Sequence, residues 1–487
     1  MESEGRQEEK NMESEEPVSP TGQYFNSSVL SICVLAVLES EIPIDDSSTM
    51  SLLQNVFLPI NPRFSSIMVS DKNGVKKWKK FDVKLKDHVH VPIFPGGLSL
   101  KCYDDHLNEY LSRIAMENLP QSRPLWEIHI FKYPSKNAAG TLVFKLHHAL
   151  GDGFSLMGAL LSCLQRADNP SLPLTFPTLQ WPSKMDSQNE NFFLGVPRFL
   201  SSAYNTVSDF GWSLLKSSCV EDDRTPIRSA DPGVEFKPVT ITTITFSLDH
   251  IKQIKTMLGV TLNDVITGII FFATRLYMQS SSKKNNGHST ALVLLNTRNI
   301  GGYKSVKEMV KPDAESPWGN QFGFLHVSIP ESSSTDADQS PDPLEFVLKA
   351  QKIIKRKRSS LAVKLTGRLL ETLRKFIGPK ATARYIHTTL KNSSMTISNL
   401  IGPVEQMALS DHPIKGLYFM VVGVPQVNIY SLVSFFFIGI YRHLTCSILM
   451  EFVVESYNYN AKLHGKDENC RGNRERIHRP PEIPRMH

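Results

Sequence analysis

The stretch TLVFKLHHALGDGFSLM, residues 141–157, decides how the rest of the chain is read. Leu142 to Leu146 form a short apolar run with β-branched and aromatic content, which favours a buried strand over a helix. The run delivers His147 and His148. Gly151 and Gly153 then bracket Asp152 at a turn expected to need unusual φ and ψ, with Ser155 placed to open the helix that follows. A neutral imidazole accepts a proton near pH 7, and a nearby carboxylate or other hydrogen-bond partner can set its tautomer and orientation. The pattern reads as a strand carrying a base to a turn. The bland alternative is a histidine pair packed beside a strand.

Outward from this stretch, strands and helices alternate. Before it, 29–38 is an apolar strand too short to span a bilayer, and 48–58 has helical spacing. A strand holding Ile67 and Val69 and a second at 75–83 flank the Asn73-Gly74 turn of a hairpin. A helix at 98–116 and a strand at 124–131 complete the approach. After it, a helix over 155–166 gives way to prolines at 170, 173, 177 and 182, which mark a linker. The segment 192–216 is an amphipathic helix, lying on a surface or in the core. Residues 239–248 form a β-branched strand, Asp249 caps the next helix, and 262–278 is a second, broadly apolar one. Strands follow at 291–295, 322–329 and 395–404.

With 487 residues, the chain is long enough for two or three domains. Residues 1–16 are acidic and poor in large apolar groups, and are expected to be disordered; no basic region followed by an apolar core marks a secretory leader. The six cysteines are scattered without a C-x-x-C pair, so no metal is expected.

Taken together, His147, His148, Asp152 and Gly153 spell His-His-x-x-x-Asp-Gly, which resembles the acyltransferase motif of the wax ester synthase/diacylglycerol acyltransferase family, within the CoA-dependent acyltransferases. Pro124-Leu125-Trp126-Glu127, Asn263-Asp264, Asn296-Thr297-Arg298, Pro317-Trp318-Gly319-Asn320 and Ser398-Asn399 with Gly402-Pro403 resemble further segments of that family. The resemblance implies an α/β fold of two mixed-sheet, chloramphenicol-acetyltransferase-like domains with the active-site channel between them. It implies that His148 is the general base and that Asp152 mainly holds the loop. It also implies that Ser398 and Asn399 face the histidine from the second domain, where either can donate to the oxyanion of a tetrahedral intermediate. Asn263 and Arg298 are further oxyanion or channel candidates, Arg298 as an ion-pair partner of Asp152. Pro124, Leu125 and Trp126 line the substrate channel by resemblance, although a proline-capped strand with a core tryptophan accounts for them equally. Asn263 and Asp264 are also ordinary residues for a helix start.

The implied reaction uses acyl-CoA as co-substrate, no bound cofactor, and a long-chain alcohol or diacylglycerol as acceptor. Alternatives are a hydroxycinnamoyl-type, BAHD-like transferase and an inactive lipid-binding or regulatory homologue. The implied setting is a membrane surface, the cytosolic face of the endoplasmic reticulum or the plasma membrane. Residues 344–384 hold twelve lysines and arginines against Glu345 and Glu371, interleaved with aliphatic side chains. That suits a solvated helical face or contact with anionic lipid or CoA phosphates, and not nucleic acid, which calls for stacking aromatics. Asp209-Phe210-Gly211-Trp212 is similar to motifs of kinases and BAHD enzymes, but no kinase glycine-rich or catalytic loop accompanies it, it lies too early for a BAHD enzyme, and Ser213 stands where the BAHD motif ends in glycine, so it is read as coincidence.

The expected domains are 17–168 and 239–426, joined by the linker and amphipathic segment 169–238, with 427–487 a divergent tail. The uncharged run 416–441 has the length of a membrane span, but Pro425, Gln426 and Asn428 and its strand-like start argue against one. The tail also reads as translated intron, in which case the second sheet would lack its closing strand and keep an unpaired edge.

Overall fold

The computed structural model describes residues 16–26, 31–71, 76–174, 192–228, 240–281, 287–298, 306–309, 311, 314, 317–331, 342–358, 360–403, 405–423, 431–437 and 443–450. Its strands, in chain order, are β1 (Cys33–Ser40), β2 (Ser66–Ser70), β3 (Lys76–Lys80), β4 (Val89–His90), β5 (Trp126–Phe131), β6 (Gly140–His147), β7 (Leu164–Arg166), β8 (Thr240–Ser247), β9 (Thr290–Asn296), β10 (Phe322–Ser328), β11 (Met395–Ile401), β12 (Met407–Leu409), β13 (His412–Val422), β14 (Ser431–Phe437) and β15 (His443–Met450). The helices that matter below are α1 (Pro20–Phe25), α2 (Leu100–Met116), α3 (Gly153–Ser162), α4 (Phe192–Ser218), α5 (Leu248–Leu258), α6 (Leu262–Ser281), α7 (Pro343–Arg358), α8 (Ala362–Thr372) and α9 (Pro379–Asn392).

The strands form two mixed sheets and a hairpin. One sheet has the order β4-β5-β6-β1-β13-β12-β7, the other β10-β9-β11-β14-β15-β8, and β2 pairs with β3 alone. The first sheet is antiparallel except for β4 beside β5, whereas β11 runs parallel to both β9 and β14. Strands buried on both faces read as unbroken apolar runs. All eight residues of β6 are buried, and β1 matches it apart from Glu39. Around them Leu35, Phe57, Phe64, Trp126, Phe131 and Phe144 fill the first core. A second core, with Val265, Phe271, Phe346 and Ala350, lies where α6 packs on α7, so closely that a Cβ on Gly268 would sit 2.5 Å from the Val347 Cα.

The division expected from sequence is redrawn in two places. β13 and β12 come from the second half of the chain but complete the first sheet, with Cys33 opposite Val422 and Leu409 opposite Leu164. The start of the uncharged run 416–441 thus lies in strand β13. Beyond residue 426, β14 and β15 insert between β11 and β8, with Ser398 opposite Ser434 and His443 opposite Ser247. Where a missing closing strand was expected, the second sheet takes two strands from this segment, and β10 and β8 are its edges. The strands of the second sheet are completed by the very segment read as tail or intron.

Smaller corrections follow from caps. Asp152, not Ser155, is the N-cap of α3, and the helix stops at Ser162 because 164–166 is drawn off as β7. Ser247 rather than Asp249 caps α5. Neither Gly151 nor Gly153 has a positive φ. Gly151 is needed for space instead, since a Cβ there would lie 2.9 Å from Ser155 Cβ and 3.3 Å from the Trp318 ring nitrogen. The hairpin turn at 73–74 and most of the proline-rich linker fall outside the described residues.

Candidate active site

β6 ends at His147, and the next residue turns out of the ladder. The His148 N–H donates to the Ile32 carbonyl at 2.8 Å, and its ring lies edge-on to Phe25 with centroids 4.6 Å apart. Phe322, at the start of β10, closes the other side at 6.2 Å. The ring's polar partner is Asn320. Asn320 Nδ2 donates to the His148 carbonyl at 3.1 Å, and its Oδ1 stands 2.9 Å from His148 Nδ1. A backbone carbonyl only accepts, so the amide orientation is settled and Oδ1 must accept from the ring. The proton therefore sits on Nδ1, and Nε2 carries the lone pair of a base. Burial lowers the His148 pKa below the ordinary histidine value, against opposing pulls from the Asp152 carboxylate and from Asn320. The ring is neutral at pH 7, as a base must be.

Asp152 does not orient the histidine. Its Oδ1 caps α3 by accepting from the Ser155 N–H at 3.0 Å, and its Oδ2 accepts from the Gln321 N–H at 2.8 Å. The same oxygen lies 2.6 Å from Arg298 Nη1, in an ion pair whose side chains are 0% and 7% exposed. Burying two charges is costly unless every donor finds a partner. Arg298 meets that condition. Its Nη2 donates to the Gly319 carbonyl (2.7 Å) and to Ser155 Oγ (3.2 Å), and its Nε donates to the Pro317 carbonyl (3.2 Å). The guanidinium also lies over the Phe154 ring, 5.2 Å from its centroid.

Residues 317–321 thus form a strap across the histidine loop. Trp318 Nε1 donates to the Leu150 carbonyl at 2.7 Å, Ser155 Oγ exchanges bonds with both Gly319 N–H and C=O, and Asn320 holds His148. Gly319 has φ +133°, a conformation that other residues rarely adopt. The loop belongs to the first sheet and the strap leads into β10 of the second, so the site sits at the junction of the two.

The other sequence candidates separate into structural and undecided ones. His147 is fully buried; its Nδ1 accepts from the Ala149 N–H at 3.0 Å, and Nε2 faces Ser31 Oγ at 3.3 Å. Burial, with the Lys145 charge nearby and repulsion from His148 whenever that ring is protonated, pushes its pKa down to about 3, and both of its ring nitrogens are engaged within the turn. Gly153 is simply the first residue of α3. Pro124, Leu125 and Trp126 are buried at the start of β5. The Leu125 carbonyl accepts from the His147 N–H at 3.0 Å, and Trp126 Nε1 donates to the Phe64 carbonyl at 2.8 Å. Asn263 is exposed at the start of α6, where Asp264 and Thr261 exchange bonds at 2.8 and 3.2 Å in a capping box. That explains the Asn-Asp pair as a helix start. Ser398 is half-buried on β11, and among the described residues no hydrogen bond joins it to the histidine loop. The Asn399 side chain lies outside the described atoms. Asn320 was overlooked as a functional residue, although its Pro-Trp-Gly-Asn segment stood out. Among the described residues, no group of three or more His, Cys, Asp or Glu is arranged to hold a metal.

Two family descriptions match the chain: "Wax ester synthase/diacylglycerol acyltransferase catalytic domain" over residues 58–266, and "WS/DGAT C-terminal domain" over 318–437. Wax ester synthase/diacylglycerol acyltransferase 4 of Arabidopsis thaliana is 30% identical over 438 residues, covering 85% of this chain and 82% of the relative. The chain belongs to the wax ester synthase/diacylglycerol acyltransferase family. Wax ester synthase/diacylglycerol acyltransferase 11 of the same plant is 28% identical over 431 residues, 85% of this chain and 86% of its own. Among solved structures, the wax ester synthase/diacylglycerol acyltransferase of Marinobacter aquaeolei VT8 superposes with a TM-score of 0.53 at 16% identity, over 89% of this chain and 93% of that one. The starter condensation domain of rhizomide synthetase, solved with C8-CoA, superposes at 0.50 and 8% identity, over 91% and 90%. These likenesses place the fold of this family member among two-sheet acyltransferase and condensation domains. The family's C-terminal match extends to residue 437, through β14, in keeping with that strand's place in the sheet.

Proposed function

We propose that this member of the family transfers the acyl group of a long-chain acyl-CoA to the hydroxyl of a long-chain alcohol or of diacylglycerol, giving a wax ester or triacylglycerol and free CoA. The observation that carries the reading is the neutral His148 ring held by Asn320 with Nε2 unprotonated. Nε2 takes the hydroxyl proton as the oxygen attacks the thioester carbonyl. The C–O bond forms, the tetrahedral intermediate expels the thiolate, and the proton passes from His148 to the departing sulfur. General-base assistance of this kind contributes on the order of 10² to 10⁴ in rate. Ser398 or Asn399, on β11, is the proposed donor to the oxyanion. No bound cofactor is needed. The water-insoluble product places the enzyme at a membrane surface, for which we propose the cytosolic face of the endoplasmic reticulum.

The test is release of free CoA thiol and formation of ester from palmitoyl-CoA with hexadecanol, with diacylglycerol, and with a phenolic acceptor. Ester from the first or second acceptor, lost in His148→Ala, is the expected result. Undiminished transfer by His148→Ala would falsify the mechanism. Transfer to the phenol alone would instead assign the chain to hydroxycinnamoyl-type chemistry.

A further inference from the structure

Helix α4 is built the wrong way round for a helix facing water. The ordinary surface helix turns an apolar stripe to the core and a polar face to solvent. Here the inner face is polar and bonded. Thr206 Oγ1 accepts from the Leu361 N–H at 3.1 Å; Asp209 Oδ1 accepts from Arg356 at 2.5 Å and Lys357 at 2.7 Å; and Ser213 Oγ lies 3.2 Å from His326 Nδ1. Lys216, also buried, pairs with Asp222. The outer face is apolar. Leu200, Tyr204, Val207 and Leu215 are 61%, 74%, 73% and 50% exposed, and fall on one side of the helix at intervals of about four, three and eight. Gly211 occupies the turn between Val207 and Leu215, and a Cβ added there would meet nothing within 4 Å.

The neighbouring helix extends this surface. The Leu361–Thr206 bond seats the start of α8 against α4, and the solvent side of α8 carries Leu361, 55% exposed, with Lys364 and Arg368. Its other side packs inward, where Gly367 would bring a Cβ to 2.9 Å from the Thr297 side chain. An apolar stripe beside outward cations matches one kind of occupant, the headgroup and upper acyl region of a bilayer containing anionic lipid.

We propose that the outer face of α4, with the exposed edge of α8, docks this protein onto an anionic membrane surface. This rests on the lipid-acceptor reading above only for the choice of occupant, because vesicle binding is measured without turnover. The polar inner face keeps α4 on the protein by bonds that the membrane does not disturb, while the apolar face enters the interface.

The full-length protein would be sedimented with vesicles of phosphatidylcholine alone and of phosphatidylcholine with phosphatidylserine. Wild type is expected to bind the mixed vesicles, and the triple variant Leu200→Ser, Tyr204→Ser, Val207→Ser to bind at least tenfold more weakly, given the apolar area removed. Lys364→Gln and Arg368→Gln should each cost about fivefold on the mixed vesicles and little on neutral ones. All these positions are exposed, so an unchanged melting temperature verifies folding. Turnover with a water-soluble alcohol should be the same in wild type and the triple variant. If that turnover is absent in both, the catalytic reading fails and the docking result still stands. Equal vesicle binding by wild type and triple variant overturns the proposal, as does a wild type that binds neither vesicle. A triple variant that turns a dimer into a monomer with vesicle binding intact assigns the stripe to a second copy instead.

Discussion

At the scale of single residues, two amide–histidine bonds carry the chemistry. Asn320→Ala leaves His148 in place through its backbone bond to Ile32 but frees the ring to rotate and exchange tautomers. Misorientation of a reacting group costs on the order of 10²-fold in rate. The expected result is a loss of that size in kcat with KM little changed, read by steady-state CoA release. The lowered His148 pKa sets the pH behaviour. Because the neutral form is the base, and burial keeps it neutral to lower pH than an ordinary histidine, activity should persist as pH falls through 6.5, with the acid limb of kcat/KM lying below that value. An acid limb centred above 6.5 would contradict the assignment. The ion pair behind the loop makes a different prediction. Arg298→Met strands the buried Asp152 carboxylate and should cost about 3–5 kcal/mol of stability, seen as a lower melting temperature.

These residues differ in how legible they were. His148 announced itself because it lies inside a contiguous motif on a recognisable strand. Arg298 was visible as a charge in a segment the family shares. Asn320 acts across 172 residues of sequence, and its own neighbourhood reads as a turn before a strand; only the folded chain reveals that its amide meets the ring. Conversely, Trp126 and Asn263 carry family resemblance yet have ordinary work in a core and at a helix start. A motif preserves residues for folding as readily as for chemistry.

Among elements, the sequence was clearest where burial is one-sided or total over several residues, as in β1, β5, β6 and β8. It was least clear after residue 426. There the run of aromatic and aliphatic residues has no charge to mark an edge, so strand, membrane span and translated intron looked alike. Pairing separates strand from membrane span, because β15 lies between β14 and β8 in an antiparallel ladder; the origin of the segment is a question for the transcript. A chain stopped after residue 426 would leave β11 and β8 with exposed edges, and is expected to be recovered as aggregate when the full chain is soluble. The close contact of α6 with α7 makes a smaller prediction. Gly268→Ala must push the Val347 backbone away, and overpacking of this kind costs about 1–3 kcal/mol, measurable by denaturant unfolding. Asp209, set aside at first as a chance likeness, has a structural role: it ties α4 to Arg356 and Lys357 of α7.

For the molecule as a whole, neither half is self-sufficient. The first sheet borrows β12 and β13, and the histidine loop is strapped by residues that lead into the second sheet. Two mixed sheets were expected from the family resemblance, but this exchange of strands between them was not, since pairing between distant strands leaves no local periodicity. The borrowing also has a temporal side. β1 is among the first strands made, yet its neighbour β13 arrives roughly 390 residues later. At synthesis rates of about 5–20 residues per second, β1 waits about 20–80 s on the ribosome for this partner, with β6 alone beside it once that strand has been made. During that interval a long, apolar strand edge is open to other chains, so the yield of active protein in a cell should depend on chaperones that shield nascent strands more than on the stability of the finished fold.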